Sequence, residues 1–262
     1  EYQINDRMSF MRFLGINLCE KVPDAKTIWK FKNDLAETET VDKLFCMFDE
    51  HLENKGLISH KGTIVDATFV DAPRQRNSRD ENKKIKNGVI PEEWEKPENK
   101  SKLAQKDIDA DWTKKNGERH FGYKDHVKCD ADSKLITNYS VTSASVHDSQ
   151  RCLVFIGQED EVLYADSAYS GKPIALALPE NCKNQICEKG YRNSPLTSEQ
   201  KMNNRRKSRI RCRIEQIFGF MTGAMHGITI RSIGITRAWM NIGITNLVYN
   251  FCRYSYLKRA SA

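Results

Sequence analysis

Residues 63–70 read TIVDATFV, an almost continuous run of β-branched, aromatic and small apolar side chains. Such a run fits a strand covered on both faces, which places it inside an α/β sheet rather than at a wet edge. Its exception is Asp66. A carboxylate in the middle of a buried strand costs several kcal/mol unless it is hydrogen-bonded, paired or holding a cation. Two readings are therefore open: a neighbouring arginine or backbone amides satisfy Asp66, or it belongs to a cation site. Asp71 points to the opposite face and reads as a strand-end residue before Pro73.

Upstream, the first sixty residues read as helices. Val41, Leu44, Phe45, Phe48 and Leu52 keep helical spacing, and Asp24 follows Pro23 as a cap before Ile28, Phe31 and Leu35. Phe10, Phe13 and Leu14 indicate an earlier helix. Downstream of Pro73, residues 74–118 alternate basic and acidic side chains with few aliphatics, so the stretch is expected to form little core and to be mobile or ordered by a partner. Trp94 and Trp112 are its large anchors, expected to fold it back onto the body.

Strand patterns resume over 121–129 and 135–141, with 130–133 as the turn of a hairpin. Asp148 is expected to cap a helix containing Cys152, Leu153 and Phe155, rather than to form a proton-transfer pair with His147. EVLYA at 161–165 is a further short strand that ends on Asp166, ahead of a turn containing Gly171. An acid there lies in the crevice where sites of α/β sheets form, although it could simply cap the next helix. Residues 185–188 predict another strand, 189–201 a polar loop, and 233–257 a last helix across the core.

Residues 205–223, RRKSRIRCRIEQIFGFMTG, combine two patterns. Ile210, Ile214, Ile217 and Met221 form one apolar helical stripe. The first two turns hold five arginines (Arg205, Arg206, Arg209, Arg211, Arg213) and Lys207 with no acid. The next residue off the stripe is the single carboxylate Glu215. Like charges repel at i, i+4 and worsen the positive helix N-terminus, costs that an external polyanion would offset.

Composition agrees. The chain has 262 residues and a formal charge of +7, favouring an anionic partner, with nucleic acid first among them. It has no run long and apolar enough to span a membrane, and its eight scattered cysteines read as reduced thiols, so a soluble cytoplasmic protein is expected. Cys182 and Cys187 lack the second Cys/His pair of a zinc site.

Three isolated carboxylates, Asp66, Asp166 and Glu215, thus sit on separate elements of one α/β domain. That set suits two hard divalent cations in phosphodiester displacement, and oxygen-only ligands suit magnesium, with manganese as substitute. The flanking arginines would hold the phosphate backbone.

With those acids, the stretches VPDAKTIW (22–29), VDATFVDAPR (65–74), HFGYKDHVKCD (120–130), VTSASVHDSQ (141–150), LYADSAYSG (163–171) and RCRIEQIFG (211–219) resemble, in order and over most of the chain, a bacterial insertion-sequence transposase of the Asp-Asp-Glu type, in the insertion sequence five family. The resemblance implies a ribonuclease H-like mixed-sheet catalytic core with helices on both faces, preceded by a small helical region. It implies that Asp66, Asp166 and Glu215 are the catalytic, metal-binding acids and that Arg205, Arg206, Arg209, Arg211 and Arg213 contact DNA. It also implies double-stranded DNA as partner (element ends and target), a homo-oligomer on paired ends, a nucleoid-associated location, and a DNA-binding portion ahead of Glu1. The expected division is 1–59 helical, 60–225 catalytic with the insertion at 74–118, and 226–262 a helix packed on the core. Two positions depart from the family's glutamate helix, Ser208 at its tyrosine and Thr222 at its lysine: either Arg205, Arg206 and Arg209 make the contacts of those side chains, or the element ends are bound weakly. The expected activity is phosphodiester hydrolysis at element ends followed by 3′-hydroxyl strand transfer. A metal-dependent nuclease without strand transfer, or a transposase-derived DNA-binding protein, are the alternatives.

Overall fold

A computed structural model describes residues 1–115 and 117–260. Four helices open it: α1 (Tyr2–Asp6), α2 (Met8–Leu14), α3 (Ala25–Glu37) and α4 (Thr40–Asn54). Asp24 caps α3 as expected, its Oδ1 accepting from the Thr27 N–H at 2.8 Å. Val41, Phe45 and Leu52 are the buried positions of α4.

Strand β1 (Thr63–Asp71) follows. The stretch after it is not the structureless insertion that its composition predicts. It folds into α5 (Arg79–Lys86), α6 (Glu92–Glu95) and α7 (Lys100–Ala104), and then β2 (Asp111–Lys115), which joins the sheet. Two local signals account for the order. Ser78 and Glu81 form a reciprocal capping box at the start of α5, and the same Glu81 carboxylate accepts from the fully buried Trp94 indole at 2.7 Å. Those hydrogen bonds, that to the Ser78 backbone N–H foremost, hold the Glu81 carboxyl down at about 2.

β3 (Glu118–Asp130) is longer than its pattern predicts because its first residues pair with β2. β4 (Ile136–Ser143), α8 (Ser149–Phe155), β5 (Val162–Tyr164), α9 (Lys172–Ala177) and β6 (Lys183–Asn184) follow, then α10 (Ser198–Arg211), α11 (Arg213–Gly223) and α12 (Ile235–Ala260). The last strand starts earlier than expected, although Cys187 N–H still reaches the Ala165 carbonyl at 3.0 Å. The basic helix also starts earlier, because Thr197 and Gln200 make a second capping box.

The sheet runs β2-β3-β1-β5-β6, with β4 also on β3. β1 is antiparallel to β3 and parallel to β5, so the sheet is mixed, with a ribonuclease H-like arrangement. Period-two alternation sends Ile64 to one face, against Ile214, Ile217 and Met221 of α11 and Ile242 of α12. Val65 goes to the other face, against Cys152 and Phe155 of α8 and Ile174 of α9. Helices thus cover both faces. Gly122 permits the close approach of β1 and β3: at φ +146°, a Cβ there would lie 2.3 Å from the Val70 carbonyl oxygen.

Candidate active site

Asp66 has the parity of Ile64 and so faces α11. Strand alternation and the stripe of α11 together bring the acid of the strand to the glutamate of the helix. Arg211 joins them. Its Nη1 donates to Asp66 Oδ2 at 2.8 Å and its Nη2 to Glu215 Oε1 at 2.8 Å. The other Asp66 oxygen accepts from the Ala67 N–H at 2.8 Å. The arginine and backbone amide weighed for this buried carboxylate are both present.

Asp166 closes the arrangement from β5. The parallel register Thr63↔Leu163, Ile64↔Tyr164, carried onward, sets Asp66 beside Asp166, and the Asp166 charge is felt at Asp66. Asp166 Oδ1 also caps the turn that follows, accepting from the Ala168 N–H at 2.7 Å. Capping and membership of the acid pair are therefore compatible.

The electrostatics of the pair are uneven. Burial pushes the Asp66 carboxyl above its ordinary value, against the pull of the Ala67 N–H and Arg211, and Asp166 adds to the push. Burial also works against the charge of Arg211, but Asp66 and Glu215 outweigh it and hold the guanidinium above its usual value. Arg211 gains from the contact, whereas Asp66 remains a carboxylate short of positive charge. The side chain of Glu215 is 58% exposed, at the rim, and Asp66 is 14% exposed, at the floor.

The oxygens of Asp66, Asp166 and Glu215 do not all lie within 4.8 Å of one another. A guanidinium, itself a cation, stands between two of the three. The donor set is all oxygen, with one acid on β1, a second just past the end of β5 and a third on a rim helix, which suits a hard divalent ion. Among the described residues, a tighter His60, Glu159 and Asp160 cluster lies elsewhere. There the Lys128 ammonium sits 2.9 Å from Asp160 and 3.6 Å from Glu159, so the acids already have their cation.

The arginines part company. The α10–α11 helix breaks at Cys212, where the Glu215 N–H turns back to the Cys212 carbonyl at 3.2 Å. Ahead of the break, Arg205, Arg206 and Arg209 are exposed and make no ion pair among the described residues. Arg205, Arg209 and Lys201 line an open groove of about 620 Å³ that also contains Ser208, the residue at the family's tyrosine position. After the break, Arg213 turns to the β3–β4 connection, donating to the Ala131 carbonyl at 2.6 Å and pairing with Asp132 at 3.1 Å. Among the described residues, Thr222 bonds only its own helix, through the Phe218 and Gly219 carbonyls.

Two features escaped the sequence reading. Asp148 stands at the start of α8 but caps nothing with its side chain; instead Lys124 Nζ donates to it at 2.8 Å, and His147 contacts Ser149. The register that brings Lys124 to Asp148 is set by β3, which local pattern cannot reveal. Tyr169 is buried with its hydroxyl unpartnered among the described residues. Burial first, then the charges of Asp66, Asp148 and Asp166, hold that hydroxyl well above its ordinary pKa. Its position three residues after Asp166 was the available signal.

Comparison with protein families bears on both the fold and the site. No solved structure matches the chain. The Transposase DDE domain model matches residues 58–251, which include Asp66, Asp166 and Glu215, and a second model, described as a transposase domain, matches residues 1–34. Over most of its length, from the sheet and its acids to the last helix, this chain belongs to the DDE-type transposases.

Proposed function

We propose that the chain acts as an insertion-sequence transposase of the insertion sequence five family, cutting a phosphodiester at element ends and joining the freed 3′-hydroxyl to target DNA. One observation carries the reading: Asp166 follows the end of β5, the parallel neighbour of the strand that bears Asp66, and its charge is felt at Asp66, while Arg211 ties Glu215 to Asp66. Burial leaves Asp66 wanting positive charge beyond what Arg211 supplies. Asp66 and Asp166, with Glu215, would hold magnesium or manganese. The chemistry supplied by a bound divalent cation is activation of the attacking oxygen and stabilisation of the leaving one.

The residues divide the remaining work. Asp66 and Asp166 fix the place of the reacting phosphate, and backbone N–H groups of Ala67 and Ala168 orient both carboxylates. Arg211 neutralises the acids and, released from Asp66, is in reach of a phosphate. Arg205, Arg206 and Arg209 bind the backbone leading into the site, and Arg213 supports them by fixing the helix to the β3–β4 turn. Water and a 3′-hydroxyl present the same attacking oxygen, so one site serves cutting and joining. A homo-oligomer on paired ends, association with the nucleoid, and a division into 1–59, 60–225 and 226–262 complete the proposal. Among the described residues, no helix is long and apolar enough to cross a membrane.

The test is incubation of the chain with a DNA duplex bearing a recessed 3′-hydroxyl end and a circular plasmid, with magnesium. Joined products that vanish in Asp66→Asn are expected. Plasmid cleavage without joining would identify a nuclease, and binding without either a DNA-binding protein.

A further inference from the structure

A second basic surface lies on the insertion. Arg79, Lys83 and Lys86 follow one another at i, i+4 and i+7 along α5, so they share a face. The β2–β3 hairpin brings Lys114 and Arg119 to the same place. The five cations and the half-buried Trp112 line one open groove of about 570 Å³. All five are exposed, and none makes an ion pair among the described residues. The wall includes one acid, Asp111, whose Oδ1 is taken by the Trp112 backbone N–H at 2.6 Å.

Folding does not call for this arrangement. Lys114 and Arg119 are direct cross-strand partners in the β2–β3 register, and like charges placed opposite each other destabilise a hairpin. Lysines in the last turn of α5 complement its dipole, but Arg79 in the first turn opposes it. The stretch is nevertheless rigidly built: Trp94 is buried on Glu81, Lys102 and Lys106 stand over its ring at 5.2 Å, and Lys106 Nζ donates to Asn77 and the Arg76 carbonyl. Uncompensated repulsion on an ordered scaffold is what a polyanion site requires. The indole N–H of Trp112 makes no hydrogen bond among the described residues, and the ring is held against Phe121 at 5.1 Å beneath Arg74. It adds a neutral phosphate donor between the cations.

The hairpin also reaches the active site. Lys115, next to Lys114 on β2, sits over the Phe69 ring at 5.6 Å, and its charge is felt at Asp66. Lys114 alternates to the opposite face from Lys115, and the sheet order β2-β3-β1-β5 sets the groove's hairpin on the β3 side of Asp66, on a different element from the arginines of α10.

We infer that the groove between α5 and the β2–β3 hairpin is a second docking surface for the phosphate backbone of duplex DNA, gripped by Lys83, Lys86, Lys114 and Arg119. The inference rests on the transposase reading and extends it to a surface on the other side of the acids.

The experiment measures duplex binding by fluorescence anisotropy across a salt series, with calcium in place of magnesium to prevent cleavage. The groove variant Lys83→Gln, Lys86→Gln, Lys114→Gln is compared with the control variant Lys43→Gln, Lys55→Gln, Lys61→Gln, which loses the same charge from exposed positions elsewhere. Each lost phosphate contact lowers the salt slope by about 0.9, so the groove variant is expected to lose about 2 to 3 from the slope and tenfold or more in affinity. The control is expected to keep the wild-type slope. Equal losses in the two variants, or no loss in either, would overturn the groove. So would tighter binding of single-stranded DNA that depends on Trp112, or a groove effect on polyglutamate binding but not on duplex. Absence of duplex binding by the wild-type chain would instead overturn the transposase reading itself.

Discussion

Asp66, largely buried, and Asp125, wholly buried, are carboxylates on neighbouring strands of one sheet, and their surroundings differ. Asp66 on β1 meets a guanidinium, a backbone N–H and a second acid, and its helix partner Glu215 opens to solvent. Asp125 on β3 is wholly enclosed and meets an amide: Asn246 of α12 donates to its Oδ1 at 3.2 Å. Its Oδ2 and the Asn246 Oδ1 are both unpartnered among the described residues. Burial pushes the Asp125 carboxyl up to about 8, the Asn246 bond only partly opposing it, so it is protonated at neutral pH. Burial alone therefore does not make a carboxylate functional. Charge partners and an open side distinguish Asp66, proposed as a cation ligand, from a neutral structural acid.

The largest effect expected from this contrast is on catalysis. Asp66→Asn and Asp166→Asn keep the acceptors for the Ala67 and Ala168 N–H groups but lose the charge, and should cut DNA cleavage by about a thousandfold or more, several kcal/mol of lost transition-state stabilisation. Asp125→Asn should leave cleavage within about twofold of wild type. Gel-based cleavage rates on one plasmid substrate compare all three.

Next in size is the response of stability to pH. A carboxyl whose folded pKa is raised contributes stability at low pH that is lost as pH rises through the folded value. For Asp125 the loss runs from the ordinary carboxylate range up to about 8 and ends there. Wild type should lose about 1.4 kcal/mol per pH unit between the ordinary carboxylate range and about 8 and level off above it, and Asp125→Asn should not show that loss. Urea unfolding at several pH values reads the difference.

Arg211 supplies a smaller and less intuitive test. Its guanidinium competes with any cation for Asp66 and Glu215, so Arg211→Gln should tighten manganese binding by about tenfold, the worth of about 1.5 kcal/mol of charge-assisted hydrogen bonding, while weakening DNA binding. Unchanged or weaker manganese binding would make Arg211 part of the cation site's support instead. Arg213→Ala should show the smallest change, about 1 kcal/mol of stability from its contacts with Ala131 and Asp132, with manganese affinity unmoved.

The acids were legible because each interrupts a local pattern: Asp66 a buried strand, Asp166 a strand end, Glu215 a basic helix. The strand–helix alternation was legible for the same reason, since periods of 2 and 3.6 are written along the chain. What joins elements was not. The Arg211 bridge could be weighed from composition, but its geometry depends on the break at Cys212. The Lys124–Asp148 pair and the Asp125–Asn246 pair span 24 and 121 residues, beyond any window of periodicity. The insertion was misjudged because its order comes from one capping box and one buried indole, not from aliphatic content.

Manganese binding, followed by the loss of the free-ion electron paramagnetic resonance signal in wild type, Asp66→Asn and Asp125→Asn, tests the central claim most directly. The account predicts that wild type and Asp125→Asn deplete the free ion alike and that Asp66→Asn does not. Manganese bound as tightly by Asp66→Asn as by wild type would contradict it, leaving Asp66 as a structural partner of Arg211.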